Sequence, residues 1–222
     1  GQARMPAIAQ EGERLGLKIC FYVVGDRFPL DHGLLRRIRQ AGHEIGLHGA
    51  KHDMRLAYLP YQAVMKRLDA CQDMVEQHKV VGFRSPALLT SPSLTRALSG
   101  RFLYDSSVPD TDVDTVAAPR RGCGSVFPFW QGSLLQIPLT LPLDDRLILR
   151  GQSPAEMLRT WMSKITWVRK VGGAALLTTH AEPHLGGSPE LLPAYRKMLE
   201  WIVAKQWTVA LPREVAETWT ST

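Results

Sequence analysis

Hydrophobic positions along the chain alternate between two spacings, one typical of buried strands and one typical of helices. The run 17–24 is apolar, β-branched and aromatic and is bounded by Gly25, which predicts a strand. The next segment, 34–41, has its apolar positions on one helix face and stops at Gly42. The same patterns predict further strands at 43–48, 80–84, 102–104, 134–141, 174–179 and 206–210. They predict further helices at 3–15, 61–75, 91–98, 154–171, 189–205 and 212–219.

Strands and helices that alternate in this way predict an α/β fold, in which helices cover a parallel sheet that is open or closed into a barrel. Pro138 interrupts the predicted strand at 134–141 and Pro142 follows it, which favours an edge position. In both architectures, ligands bind at the C-terminal tips of the strands. Because His48, Arg84, Asp105 and His180 each end or closely follow a predicted strand, we expect them at that edge of the sheet.

Length and composition limit the class of protein. The chain has 222 residues, of which 45% are hydrophobic and 22% charged, values typical of a globular protein with one or at most two domains. No run approaches the roughly 18 uncharged apolar residues of a membrane span, and the first residues do not have the pattern of a signal peptide. The chain begins without Met, and we expect that the natural N-terminus was removed or is not included in this sequence.

The cysteines and the charge exclude further functions. Three cysteines without a C-x-x-C pair argue against a zinc ribbon or a redox pair and predict a reducing, cytoplasmic setting. The net charge of +6 is spread along the chain, apart from basic clusters at 36–39 and 120–121. The first cluster falls on a predicted amphipathic helix, where a solvated face is the ordinary structure, so no nucleic-acid binding is predicted.

Two histidines directly after a predicted strand form an H-x-x-x-H pattern. If the chain turns helically there, the imidazoles of His48 and His52 can converge on one divalent ion. This spacing alone is a weak signal, because it also arises by chance. Gly49 follows His48 where a protease of the H-E-x-x-H kind has glutamate, which excludes that class. His43 is interpreted as a structural histidine at the start of the strand.

A third histidine and an arginine also end predicted strands. His180 follows the most apolar strand and is well placed to donate a proton near neutral pH, although a hydrogen-bonded core histidine is an equally frequent alternative. Arg84 could hold a carboxylate through two parallel hydrogen bonds, or it could be a solvated surface arginine. His184 is expected in an exposed loop, and the polar segment 108–124 is expected to be a long loop of the functional kind.

Taken together, these motifs resemble the polysaccharide deacetylase family. Residues 42–52, GHEIGLHGAKH, are similar to the metal-binding motif of that family. In the family's order, FYVVG at 21–25 resembles the preceding strand, RSP at 84–86 the R-x-P motif, and LTTH at 177–180 the final histidine motif. YDSS at 104–107 also resembles a strand end seen in some members. The resemblance extends from about residue 3 to the last helix.

The resemblance implies a fold and a set of site residues. The fold would be a distorted (β/α)7-type barrel, with residues 1–222 forming a single domain. His48 and His52 would hold a divalent metal, expected to be zinc, with an upstream aspartate as the third ligand. His180 would protonate the leaving amine, Arg84 would fix the carboxylate of the base, and the backbone N–H of Ala87 would stabilise the oxyanion.

The residue that orients His180 is left open at this point. Asp105 is the first candidate, because it ends a predicted strand at the same edge of the sheet. The acids between 110 and 114 compete with it for that role.

One family motif is absent from the sequence. In the family, the first strand ends in two aspartates, one a metal ligand and the other the catalytic base, and it precedes the helix before 17–24. Here the first aspartate is Asp26, which follows the wrong strand, so neither role is assigned to it. Either this strand lies upstream of Gly1 or the protein has lost its base. The first is favoured, because a barrel without that strand would expose unpaired edges.

The resemblance also implies a substrate. The segments 136–142 and 179–182 are more similar to bacterial members that act on surface polysaccharides or lipid-linked amino sugars. We therefore expect that the protein removes an acetyl or formyl group from an amino-sugar glycan. We expect it to lie in the cytoplasm, with peripheral contact to the inner face of the membrane. Two alternatives are a non-catalytic carbohydrate-binding relative and a hydrolase of a small non-sugar amide on the same fold.

Overall fold

The computed structural model describes residues 1–110 and 122–219, and a six-stranded sheet forms its centre. The strands are β1 (Cys20–Val23), β2 (Glu44–Leu47), β3 (Gly82–Phe83), β4 (Tyr104–Asp105), β5 (Phe129–Gln131) and β6 (Leu134–Gln136). They lie in the order β1-β2-β3-β4-β6-β5, and every neighbouring pair is parallel except β5 and β6. The predicted α/β class is confirmed, with a mixed rather than a purely parallel sheet.

Helices connect and cover these strands. They are α1 (Met5–Glu13), α2 (His32–Gln40), α3 (Tyr61–Asp69), α4 (Gln72–His78), α5 (Pro92–Leu98), α6 (Asp144–Leu149), α7 (Pro154–Lys170), α8 (Leu192–Ala204) and α9 (Pro212–Thr218). The single helix predicted at 61–75 is two helices, because the backbone of Cys71 leaves the helical region (φ −101°, ψ 4°). In the part of the chain that the structure describes, no helix combines the length and the apolar character needed to cross a membrane.

Two of the predicted strands are not paired within the described residues. The segments 174–179 and 206–210 have no strand assignment, and the sheet stays open, with β1 at one edge and β5 at the other. The backbone around 174–176 is bonded irregularly instead. The N–H of Ala174 donates to the carbonyl of Val126 at 2.8 Å, and the N–H of Leu176 donates to Thr140 Oγ1 at 2.8 Å. The hydroxyl of Thr140 therefore accepts a hydrogen bond that the backbone of a neighbouring strand would accept in a sheet.

The prediction of an edge position for 134–141 is wrong. The strand ends at Gln136 and lies between β4 and β5, so Pro138 is outside the ladder and removes no bond from it. The sequence analysis missed β5, which forms a hairpin with β6 through the turn at Gly132 (φ +64°). The edge is therefore formed by the short antiparallel strand β5.

Close contacts inside the sheet require glycine at one position of β3. The ring of Tyr104 on β4 crosses Gly82 on β3, and its hydroxyl donates to Glu44 at 2.7 Å. A Cβ added at Gly82 would overlap Cζ and the hydroxyl of Tyr104. Since Tyr104 is fully buried, its ring has no free volume into which it could move.

We therefore expect Gly82→Ala to lower the free energy of unfolding by about 1–3 kcal/mol, the usual cost of overpacking a core. Urea unfolding followed by circular dichroism measures this change. Gly33→Ala is the matched control, because Gly33 lies in α2, where alanine favours the helix. An unchanged urea midpoint for Gly82→Ala would contradict the packing described here.

Candidate active site

The C-terminal ends of the parallel strands bring the predicted site residues together. His48 directly follows β2 and Arg84 directly follows β3. Arg84 Nη1 donates to Thr178 Oγ1 at 2.6 Å, which places the segment before His180 at the same edge. Of the residues predicted from sequence, His48, Arg84 and His180 are therefore neighbours in space.

His48 is held in the tautomer that suits a metal ligand. Its Nδ1 lies 3.0 Å from the backbone carbonyl oxygen of Arg84. Because a carbonyl can only accept, Nδ1 carries the proton and Nε2 keeps its lone pair. Burial is the main cause that lowers the pKa of His48 to about 3; its neighbours His52, Arg84 and His180 act in the same direction, and the hydrogen bond to the Arg84 carbonyl opposes them. The ring is therefore neutral at physiological pH, the form in which imidazole binds metals.

The geometry of the two histidines fits one shared ion. The ring centroids of His48 and His52 are 5.0 Å apart, and their planes are inclined by 63°. With metal–nitrogen distances of roughly 2.0–2.1 Å and tetrahedral angles, two imidazoles on one ion have centroids about 5 Å apart. The turn between them depends on Gly49 (φ +65°), where a Cβ would lie 2.8 Å from Pro86 Cδ.

Arg84 is buried and firmly held. Its Nε donates to the carbonyl of Ser106 at 3.0 Å, and its Nη2 donates to Ser106 Oγ at 2.9 Å. Its guanidinium carbon lies 4.2 Å from the ring centroid of Tyr22, and Nη1 is bonded to Thr178. These contacts exclude the solvated surface arginine considered from sequence. That Arg84 fixes the carboxylate of a base stays a prediction.

Asp144, at the start of α6, orients His180. The Nδ1 of His180 lies 2.5 Å from Asp144 Oδ1, and the backbone N–H of His180 donates to Asp144 Oδ2 at 2.9 Å. The N–H groups of Asp145 and Gly186 donate to the same carboxylate at 2.9 Å and 2.8 Å. Burial alone lowers the pKa of His180, but the hydrogen bond and charge of Asp144 outweigh it and raise this pKa above its ordinary value.

The assignment of Asp105 as the residue that orients His180 is wrong. Asp105 is buried and accepts a hydrogen bond from Ser107 Oγ, while His180 Nδ1 is bonded to Asp144. Burial raises the pKa of Asp105 to about 6. Of the competing acids, Asp110 lies 3.1 Å from Lys164 Nζ, and those at 112 and 114 lie outside the described residues, as do Arg120 and Arg121.

Ala87 has an unusual backbone. It lies in the 3-10 turn Pro86–Leu88 with φ +55°, and Leu88 also has a positive φ of 58°. Consecutive non-glycine residues in this region are strained, and such strain is concentrated at functional sites. In the described structure the N–H of Ala87 donates to no backbone or side-chain acceptor, so it is free to bind a ligand oxygen. Its role at an oxyanion stays a prediction.

Within the described residues, one group of three metal-type side chains has its ligand atoms within 4.8 Å of one another: Asp144, Asp145 and His180. Both oxygens of Asp144 already accept hydrogen bonds from three backbone N–H groups, and Oδ1 also contacts the His180 ring. An ion held there would have to displace some of these donors. The arrangement fits a carboxylate that orients a histidine better than it fits a metal ligand.

Sequence analysis missed Asp144, although one signal was present. Asp144 follows the apolar segment 137–143, as a catalytic acid at the end of a barrel strand would. The segment was interpreted only as an interrupted strand, and the helix α6 that begins at Asp144 was not predicted.

Comparison with known proteins relates the chain to one family. The sequence model of the polysaccharide deacetylase family matches residues 3–99, a segment that contains His48, His52, Arg84 and Ala87. The resemblance to the polysaccharide deacetylases is confirmed. No curated protein matches the chain in sequence.

Several solved structures share the fold of the chain. A Mycobacterium smegmatis protein assigned as a polysaccharide deacetylase has a TM-score of 0.76 and 23% identity, over 96% of this chain and 76% of its own. An allantoinase has a TM-score of 0.73 and 18% identity, over 96% and 71%. A CE4 family pseudoenzyme from Bacillus anthracis has a TM-score of 0.66 and 16% identity, over 97% and 61%. At these identities the likeness shows the fold and leaves the activity open.

Proposed function

We propose that the protein is a metal-dependent hydrolase that removes an N-acyl group, acetyl or formyl, from an amino sugar of a polysaccharide or a lipid-linked glycan. The observation that carries this proposal is that two pairs of side chains lie at the same edge of the sheet. One pair consists of the imidazoles His48 and His52, with the spacing of rings that share an ion. The other is the histidine–carboxylate pair of His180 and Asp144.

The two pairs divide the chemistry of amide hydrolysis. A divalent ion, zinc by our proposal, would be held by His48 and His52 and would polarise the amide carbonyl and acidify water when bound. Asp144 holds His180 in one orientation and favours its protonated form. His180 is thus prepared to give a proton to the leaving amine, as a general acid does.

Two further groups would serve the acyl end of the substrate. The free N–H of Ala87 would donate to the oxygen of the substrate carbonyl as negative charge develops on it. Arg84 is anchored by Ser106 and Thr178, and we propose that it also fixes the carboxylate that takes a proton from water. No carboxylate of the described residues joins His48 and His52 within the ligand distance searched. Asp112 and Asp114 lie outside the described residues, and that the third ligand and the base come from upstream of Gly1 stays a prediction.

A product assay tests this function. The protein with the residues encoded before Gly1, supplied with zinc, should release acetate or formate from N-acylated amino-sugar glycans, whereas residues 1–222 alone should not. Equal zinc-dependent release by both proteins would show that the base lies within residues 1–222. Two other results would replace the proposal: glycan binding with no release would indicate a non-catalytic relative, and release from small non-sugar amides alone would indicate that substrate class.

A further inference from the structure

A chain of hydrogen bonds connects the end of β4 with the first of the two histidines proposed to hold the metal. The hydroxyl of Ser107 donates to the carboxylate of Asp105, and it accepts a hydrogen bond from the backbone N–H of Ser85 at 2.8 Å. The carbonyl of the same peptide group, which belongs to Arg84, accepts the Nδ1–H of His48 at 3.0 Å. The carboxylate is therefore linked to the imidazole through one hydroxyl and one peptide group.

The first part of this chain is buried, which fixes the direction of its bonds. Asp105, Ser107 and Ser85 have only 2%, 0% and 1% of their surface exposed. A donor that lost its partner here would stay unbonded, which costs free energy. The hydroxyl of Ser107 has a single proton and gives it to the carboxylate, so its lone pairs are left for the N–H of Ser85. Asp105 therefore determines how Ser107 faces the peptide group.

The peptide group passes this order on to the imidazole. A peptide group is planar, so the N–H that bonds to Ser107 and the C=O that bonds to His48 rotate as one unit. A rotation that breaks one of the two bonds also weakens the other. Hydrogen bonds in a buried chain also polarise one another, so a carboxylate at one end makes the carbonyl at the other end a stronger acceptor.

We propose that Asp105 and Ser107 are positioning residues of the metal site, because they hold the peptide group whose carbonyl keeps the ring of His48 in place and its Nε2 available to a divalent ion. Metal-binding histidines usually donate their other N–H to a carboxylate or a carbonyl, which fixes the ring and makes the ligand nitrogen more basic. Here the carbonyl is itself supported by a carboxylate. This inference rests on the proposed function and gives Asp105 a role other than the one predicted from sequence.

The zinc affinity of the protein that includes the residues encoded before Gly1 tests this role without turnover. Ser107→Ala should weaken zinc binding by about three- to tenfold. This is less than the roughly 10–100-fold typical of removing a direct partner of a ligand, because the effect passes through a peptide group. Ser107→Thr keeps the hydroxyl and should retain the affinity, whereas Ser107→Cys has a weakly accepting thiol and should lose it. Competition with a chromophoric chelator measures the affinity.

Ser188→Ala is the matched control, because Ser188 is also buried and its hydroxyl also accepts a backbone N–H, that of Leu191, at 3.1 Å. It should leave zinc affinity unchanged. A second measurement needs no zinc. In the metal-free protein, the Nδ1–H of His48, observed by NMR, should exchange with water faster in Ser107→Ala than in the unmodified protein or in Ser188→Ala.

The outcomes separate the positioning role from the proposed hydrolysis. Zinc affinity that is unchanged in Ser107→Ala and Ser107→Cys, or equally weak in Ser107→Thr, would overturn the positioning role even if acyl groups are released from glycans. Weaker zinc binding and faster exchange in Ser107→Ala, with no release of acetate or formate from any glycan, would retain the role and remove the hydrolase. An unmodified protein that binds no zinc would overturn both.

Discussion

In the protein that includes the residues encoded before Gly1, His48→Ala and His52→Ala are each expected to remove nearly all bound zinc and, with it, all hydrolytic activity. Each substitution takes away one of the two proposed imidazole ligands, whose rings are only 5.0 Å apart. A single imidazole with water cannot hold zinc as tightly as a closed set of protein ligands. Zinc content after dialysis, measured by plasma mass spectrometry, gives the loss, and circular dichroism shows whether the fold is retained.

His184→Ala is the control for this experiment, because His184 is exposed in a loop and should keep both zinc and activity. Asp145→Asn distinguishes the alternative site formed by Asp144, Asp145 and His180. If both His48→Ala and His52→Ala retain one zinc per chain while Asp145→Asn loses it, the ion belongs to the alternative site. The proposed role of the histidine pair would then be wrong.

The sequence predicted the positions of the site residues that come directly after the ends of strands. Periodicity located β2 and β3 closely enough to place His48 and Arg84 at one edge of the sheet. Parallel strands share the direction in which they end, so residues at their tips converge even when nothing is known of the loops. This reasoning needs only local patterns, which a single sequence contains.

The partner of His180 depended on information that local patterns do not contain. Asp144 and His180 are separated by 36 positions, and their contact requires both the short helix α6 and the return of the chain after α7. Asp105 was the first candidate for this partner, because it ends a predicted strand. Its side chain is instead bonded to Ser107 two residues later. Such a local bond competes with distant partners, as is common for aspartate and serine.

The predicted strands at 174–179 and 206–210 show a second limit of sequence analysis. Both segments are apolar enough to form strands, but a strand also needs a neighbouring backbone with which to pair. Within the described residues the sheet ends at β1 and β5, and Thr140 Oγ1 bonds the backbone near 176 instead. The apolar pattern therefore predicted strands at two segments that are not paired within the described residues.

His180→Ala is expected to lower kcat by about 10²–10⁴-fold with zinc content unchanged, the range typical of losing a positioned proton donor. The reason is that His180 is partly exposed and near enough to His48 to lower its pKa, while Asp144 holds its Nδ1 and leaves Nε2 for the substrate. Steady-state kinetics on the acylated glycan, together with zinc analysis of the same samples, measures the effect. An unchanged kcat would exclude the role of general acid.

Asp144→Asn tests how His180 is prepared for that role. The general acid must be protonated, and Asp144 raises the pKa of His180, so the active form persists to higher pH than it would for an unpaired histidine. Replacing Asp144 by asparagine removes the negative charge, so the alkaline limb of the kcat/KM profile should move to lower pH. Asp105→Asn is the matched control, because Asp105 is also a buried carboxylate but is bonded to Ser107, and its profile should keep the position of that limb. An alkaline limb that moves in Asp105→Asn and stays in place in Asp144→Asn would return the orienting role to Asp105.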